Sequence, residues 1–176
     1  VLAWTTTPWT LPGNVALAVG KEMEYVSYST KNEFGRTETY ILERNAFNRM
    51  KIEAVVNNVL MRGKDLVGKS YKPLFDYYSK DKTLKNRENG WKIYGADFVT
   101  TEEGAGIVHI APAFGEDDMN LAQKQNLPFI QHVSSDGKFK PEVKNWAGFF
   151  VKKAAPLIIQ DLKERGILFK DELSFY

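Results

Sequence analysis

Apolar positions along this chain come in short runs, with few long helical stripes. Ala16-Leu17-Ala18-Val19 is continuously apolar and predicts a short buried strand. Glu24-Tyr25-Val26-Ser27-Tyr28-Ser29 alternates, which predicts a strand with one wet face. Thr39-Tyr40-Ile41-Leu42 predicts another, after a polar turn holding Asn32 and Gly35. Asn45 to Met50 reads as a short helix. Residues 51 to 78 mix short apolar pieces with Gly63, Gly68 and Pro73, a pattern of strand and loop. Ile93 to Thr100 and Ile107 to Ala111 predict two more strands, the second apolar enough to lie inside. Asp117 to Gln125 predicts a helix opened by acidic residues, where the helix dipole favours them. Pro156 to Arg165 predicts a second, with Leu157, Ile158 and Leu162 on one side. Asp161 and Arg165 form an i,i+4 pair, Gly166 stops the helix, and Pro156 fits its first turn. Asn89-Gly90 and Asp136-Gly137 predict hairpin turns. Many short strands with few helices imply an α+β fold. Its core is expected to be a barrel-like sheet of short strands with peripheral helices.

Composition narrows the function classes. The 176 residues are 43% hydrophobic, enough for one domain with a real core. Lys+Arg 24 against Asp+Glu 22 gives a formal charge of +2, too near balance to announce a nucleic-acid binder. The absence of cysteine excludes disulfides, zinc–thiolate sites and thiol catalysis, and is compatible with a reducing cytoplasm. No apolar run approaches the roughly 18 residues that span a bilayer, so no membrane partner is expected. The chain opens on Val1, and residues 1–176 read as a single domain excised from something larger. Ser79 to Lys92 is the most polar segment, either a solvated loop or a phosphate contact.

Two stretches are dense in candidate chemistry. Trp4-Thr5-Thr6-Thr7-Pro8-Trp9-Thr10-Leu11-Pro12-Gly13 carries three consecutive hydroxyls on backbone stiffened by two prolines. Such a rail can present small polar and small apolar groups to one ligand. Gly104-Ala105-Gly106 leads into the strand bearing His109, and then into Ala113-Phe114-Gly115-Glu116-Asp117-Asp118 at a helix start. A carboxylate there is placed to bind a cationic group. Plainer readings stand beside these, namely a satisfied core histidine and ordinary helix-capping acids. The glycines spell no phosphate-binding loop, no serine sits in a G-x-S-x-G turn, and two histidines are few for zinc. If the chain is hydrolytic at all, attack by bound water is favoured over covalent catalysis.

Trp4 through Pro12 with the following Asn14, and Gly104 through Asp118, together resemble the two signature regions of the editing domain of class I aminoacyl-tRNA synthetases. That domain is the connective-peptide insertion in a catalytic Rossmann fold. The resemblance covers essentially the whole chain. His109 followed by Ala111-Pro112 is similar to the isoleucyl pattern, and Glu172 to Tyr176 resembles the segment returning to the catalytic core. Two departures stand out. The usual Gly-Thr-Gly reads Gly104-Ala105-Gly106, and the frequent Gly-His-Gly reads Ala113-Phe114-Gly115.

The resemblance implies hydrolytic proofreading of valine esterified to the terminal adenosine of tRNA(Ile). Trp4, Thr5, Thr6, Thr7, Asn14, His109 and Asp118 would bind the substrate, with Asp118, Thr7 and His109 nearest the chemistry. Asp118 is expected to anchor the α-ammonium, and Thr7 and His109 to form the wall that meets an extra methylene. Thr5, Thr6 and Asn14 are expected at the ribose or the water. His109 is a candidate base or a pocket wall. The implied partners are mischarged tRNA and the catalytic body of the parent synthetase, in the cytoplasm. The domain needs no cofactor, whereas the parent would use ATP and Mg. Alternatives are the same fold from a valyl or leucyl enzyme, a non-catalytic RNA-binding module, and an insertion that has lost activity.

Overall fold

The computed structural model describes residues 1–31, 35–51, 55–102 and 104–171. Asn32 of the expected polar turn and the Glu172–Tyr176 segment lie outside the described residues. Strands β1 (Ala16–Val19), β5 (Lys92–Gly95) and β6 (Ile107–Ile110) form one sheet, ordered β5-β1-β6. β1 runs parallel to β5 and antiparallel to β6, with Leu17 opposite Ile93 and His109. Strands β2 (Glu24–Lys31), β3 (Thr37–Glu43) and β4 (Val55–Arg62) form a second, antiparallel sheet with β2 central. The α+β class is therefore as expected. The barrel is not: among the described residues the strands make two separate three-stranded sheets, and neither closes.

Helices α1 (Arg44–Arg49), α2 (Gly63–Leu66), α3 (Glu116–Gln125) and α4 (Val151–Glu164) surround the sheets. β1 is fully buried, as its unbroken apolar tetrad demands. Its Val15-side core gathers Ile110, Leu121, Leu127 and Ile130, so β6 and α3 share one apolar layer. α4 buries Val151, Ala154, Ile158 and Leu162, an i, i+3, i+7, i+11 stripe, against Leu11, Phe139 and Trp146.

Three local expectations are corrected. α4 starts at Val151, so Pro156 lies inside the helix, and Leu157 is exposed rather than part of the apolar face. Asn89-Gly90 closes a 3-10 turn, not a hairpin. The reason is topological, because β5 is flanked by β1 on one side and by residues 68–71 on the other, so the residues before Asn89 have no edge of β5 to pair with. The strand expected over 93–100 ends at Gly95, where the Ala96 N–H turns in to the Val19 carbonyl at 2.9 Å.

Gly104 and Gly106 couple the two sheets. Both have positive φ, +62° and +68°. A side chain on Gly106 would meet the Glu43 Cβ at 2.2 Å, and one on Gly104 the Trp4 ring at 2.4 Å. The Tyr25 hydroxyl of β2 donates to the Gly106 carbonyl at 2.7 Å, and the Glu43 N–H to the Ala105 carbonyl at 2.9 Å. Glycine suits both positions because the backbone is left-handed there and the Trp4 and Glu43 side chains occupy the space a Cβ would take.

Candidate functional site

The two dense stretches are hydrogen-bonded neighbours. Trp4 bridges Val108 in parallel, its N–H donating to the Ile107 carbonyl at 3.0 Å, along the edge of β6 that β1 does not occupy. After the threonines the chain turns into a 3-10 segment, Pro8–Gly13, with Pro8 in its first turn where a missing N–H is harmless. The turn is pinned from below by His132. Its Nε2 lies 3.0 Å from the Trp9 carbonyl, and its ring fills the space a Gly13 side chain would need. Burial lowers the His132 pKa to about 4, so the ring is neutral and donates to Trp9.

A ladder of polar groups runs inward from the threonines. The Thr5 hydroxyl accepts from the Thr7 N–H at 3.1 Å. The Thr10 hydroxyl donates to the Thr7 carbonyl at 2.8 Å and lies 2.9 Å from His109 Nε2. The Asn14 amide nitrogen lies 2.8 Å from His109 Nδ1 and donates to the Ala16 carbonyl at 2.9 Å. The Tyr71 hydroxyl closes the ladder by donating to Asn14 Oδ1 at 2.6 Å. His109 is 7% exposed, and burial, with His132 nearby, lowers its pKa to about 3. It is therefore a neutral ring with both nitrogens engaged.

Asp118 sits in the first turn of α3, after the extended N-cap Gly115. Its carboxylate folds back so that Oδ2 accepts from the Ala111 N–H at 2.7 Å, just beyond the end of β6. Gly115 permits this, since a side chain there would crowd the carboxylate at 3.1 Å. Burial raises the Asp118 pKa, the Ala111 N–H opposes that shift, and Asp117 adds to it. Partial burial is the larger effect.

A cavity of about 450 Å³ opens beside the ladder. Trp4, Thr5, Asn14, Tyr71 and His109 line it together with Ala105, Leu17 and residues of α4. Thr6, Thr7 and Asp118 lie outside this hollow. Thr6 and Thr7 are exposed, and Asp118 is half-buried against the far end of the same strand. The expected residues thus fall into an inner set and a rim set, joined through β6 and the 3-10 segment. Among the described residues, no group of three or more His, Asp or Glu is placed to hold a metal ion. None of the helices described there is long and apolar enough to cross a membrane.

Sequence reasoning assigned no role to Thr10, Tyr71 or His132. Thr10 lay inside the first motif and could have been found there. Tyr71 and His132 come from segments whose local pattern carries no signal.

No family model matches the chain. It is 44% identical over 172 residues to the isoleucine–tRNA ligase of Clostridium acetobutylicum, covering 98% of this chain and 16% of the relative. It is 45% identical over 174 residues to that of Bdellovibrio bacteriovorus, with the same coverage. Among solved structures, GlLeuRS-CP1 superposes with a TM-score of 0.70 at 16% identity, over 99% of this chain and 83% of that one. The cytosolic leucyl-tRNA synthetase editing domain of P. falciparum superposes with 0.66 at 12% identity, over 93% and 76%. The fold is that of the connective-peptide editing domains of class I aminoacyl-tRNA synthetases. By sequence its relatives are isoleucyl-tRNA synthetases, of whose length the chain spans 16%.

Proposed function

We propose that this domain performs hydrolytic proofreading, cleaving the ester of valine on mischarged tRNA(Ile). The observation that carries the reading is the inner ladder. A threonine-rich rail is hydrogen-bonded to a neutral His109 beside a cavity, on the same strand that ends at a half-buried carboxylate. An activating site cannot reject valine well, because one methylene is worth only about 1–3 kcal/mol, a magnitude known from this very pair of amino acids. A second site that excludes isoleucine by overlap overcomes that limit.

Asp118 binds the α-ammonium, its Oδ2 already fixed by Ala111. Thr7 and His109 meet the side chain. Both His109 nitrogens are committed within the ladder, which favours a wall over a base. Asn14 spends its amide inside the protein, so it acts by holding His109. Thr5, Thr6 and Trp4 face the terminal adenosine and the water. Water attacks the ester carbonyl, the bond to the ribose oxygen breaks, and that oxygen takes the proton. An activated ester with an oriented water needs no strong base. ATP and Mg belong to the catalytic body of the parent, which with mischarged tRNA is the partner in a cytoplasmic enzyme.

A deacylation panel tests this. The chain is incubated with valyl- and isoleucyl-tRNA(Ile), threonyl-tRNA(Val) and a non-leucyl ester of tRNA(Leu). Cleavage of the valyl ester with isoleucyl-tRNA(Ile) spared is the expected result. Preference for the threonyl or tRNA(Leu) ester moves the assignment to a valyl or leucyl enzyme. Salt-dependent RNA binding without release of any amino acid overturns the enzymatic reading.

A further inference from the structure

We propose that Tyr71 is a positioning residue of this site, whose hydroxyl fixes the Asn14 amide and, through it, the tautomer of His109. The inference rests on the reading of His109 as a pocket wall. The Ala16 carbonyl can only accept, so it is the NH₂ of Asn14 that faces it at 2.9 Å. The same nitrogen meets His109 Nδ1 at 2.8 Å, so Nδ1 is the unprotonated, accepting nitrogen. The proton of the neutral ring is then on Nε2 and points at Thr10 Oγ1, 2.9 Å away. The Thr10 proton is committed in turn to the Thr7 carbonyl at 2.8 Å.

One atom of this arrangement would be left unsatisfied. Asn14 is 8% exposed, and its Oδ1 needs a donor. Tyr71 supplies it at 2.6 Å from the segment between α2 and β5, outside both sequence motifs. Its own placement is set by main chain and core. The Tyr71 N–H donates to the Trp91 carbonyl at 3.0 Å, and its ring packs on the cluster around Val15 and Ile110. Burial holds the phenol far above its usual range, so Tyr71 is a donor at every working pH. Without that hydroxyl, the amide gains by rotating Oδ1 toward any donor, and Nδ1 loses its partner. The ring then divides between tautomers, and Thr10 and Thr7 lose their fixed geometry.

The test is Tyr71→Phe, which keeps the ring and removes only the hydroxyl. The chain has two histidines, so ring-nitrogen NMR on ¹⁵N-labelled protein resolves His109 from His132. Wild type is expected to show His109 as a single neutral tautomer protonated at Nε2. In Tyr71→Phe the two His109 nitrogens move toward each other by exchange between tautomers, while His132 is unmoved. Discrimination between valyl- and isoleucyl-tRNA(Ile) falls about tenfold, equivalent to about 1.4 kcal/mol. Tyr71→Leu, which also removes packing, separates the roles. If Tyr71 acts through packing alone, Tyr71→Phe matches wild type, only Tyr71→Leu is impaired, and the proposal is overturned. A changed tautomer with no ester cleavage even by wild type sustains the positioning claim and removes the proofreading one. An unchanged tautomer alongside normal wild-type cleavage does the reverse.

Discussion

Replacing Asp118 with Asn removes one negative charge and changes almost nothing else. The new side chain still offers an oxygen to the Ala111 N–H, now 2.7 Å from Oδ2, and still lies over Gly115. Converting a charged acceptor to a neutral one weakens that bond by about 1 kcal/mol. Removing a charge that burial disfavours offsets part of this. Unfolding free energy should therefore move by less than about 1 kcal/mol. The effect on an ammonium ligand is larger. Breaking a fully desolvated pair from one side costs about 2–5 kcal/mol, and an exposed pair is worth about 0–1 kcal/mol. A half-buried carboxylate with one oxygen engaged lies between, at about 2–3 kcal/mol, or about 30- to 150-fold in kcat/KM. Single-turnover release of labelled valine from valyl-tRNA(Ile), beside a urea titration of each protein, measures both quantities. If Asp118→Asn folds normally and deacylates within about threefold of wild type, the anchor assignment fails. A loss of several kcal/mol in stability would show instead that the carboxylate serves the fold.

Thr7→Ala removes an exposed side chain whose nearest hydroxyl contacts are 3.4 and 3.5 Å long, so stability should be unchanged. Isoleucyl-tRNA(Ile) deacylation should rise about tenfold as the clash with the extra methylene is relieved, and continued rejection of isoleucine would remove Thr7 from the sieve. Acid should destabilise the fold through its histidines. Both pKa values are lowered by burial, to about 3 and about 4, so the unfolded chain binds protons that the folded one refuses. Their stability contribution is complete above about pH 6.5 and is lost as pH falls toward 3–4, by about 2 kcal/mol per histidine at pH 5. Urea midpoints from pH 7 to 5 read this, and a flat profile refutes the buried neutral rings. Gly106→Ala puts a Cβ at a φ of +68° and 2.2 Å from the Glu43 Cβ, beneath a side chain that caps α1. About 3 kcal/mol or more of stability should be lost, and a loss under about 1 kcal/mol would show that the strand can shift.

Legibility in the sequence followed the range of the forces involved. Elements set by local pattern were readable, such as the buried tetrad 16–19 and the acid-opened α3; the strand at 24 was too, but not its wet face, since β2 is central in its sheet and Tyr25 to Tyr28 are all buried. Elements decided by distant partners were not. Asn89-Gly90 has hairpin chemistry, yet both edges of β5 are already taken, by β1 and by residues 68–71. Pro156 has first-turn chemistry, yet the apolar stripe on α4 extends back to Val151 and takes the helix with it. Closure of the strands into a barrel was inferred from their number, whereas pairing splits them three and three. At the site, the motifs located the threonine segment and the His109 strand. The division between an inner set and an outer rim came only from the cavity. Tyr71 illustrates the limit, because a tyrosine among Gly68, Pro73 and lysines offers no pattern until Asn14 is seen beneath it.

The division into two halves has a chemical logic. Exclusion by overlap works only against a wall that cannot yield, since a soft wall would move by the length of a methylene for little energy. The inner half is tied down by hydrogen bonds to main chain. Its ladder ends on the carbonyls of Ala16 and Thr7, and His132 clamps the Trp9 carbonyl beneath. The two departures from the family pattern fit this. Phe114, where a histidine is frequent, packs edge-on against both Trp9 and His132 at 5.2 and 4.8 Å, replacing a titratable ring with fixed apolar contact. Ala105, where a threonine is usual, is buried and its carbonyl ties the glycine pair to Glu43. Both substitutions remove polar groups from the shell and leave the ladder complete. Asp118, by contrast, keeps one oxygen outside the internal hydrogen bonds. On the proposed reading, the rim would exchange ligand while the wall stays still, as a sieve requires.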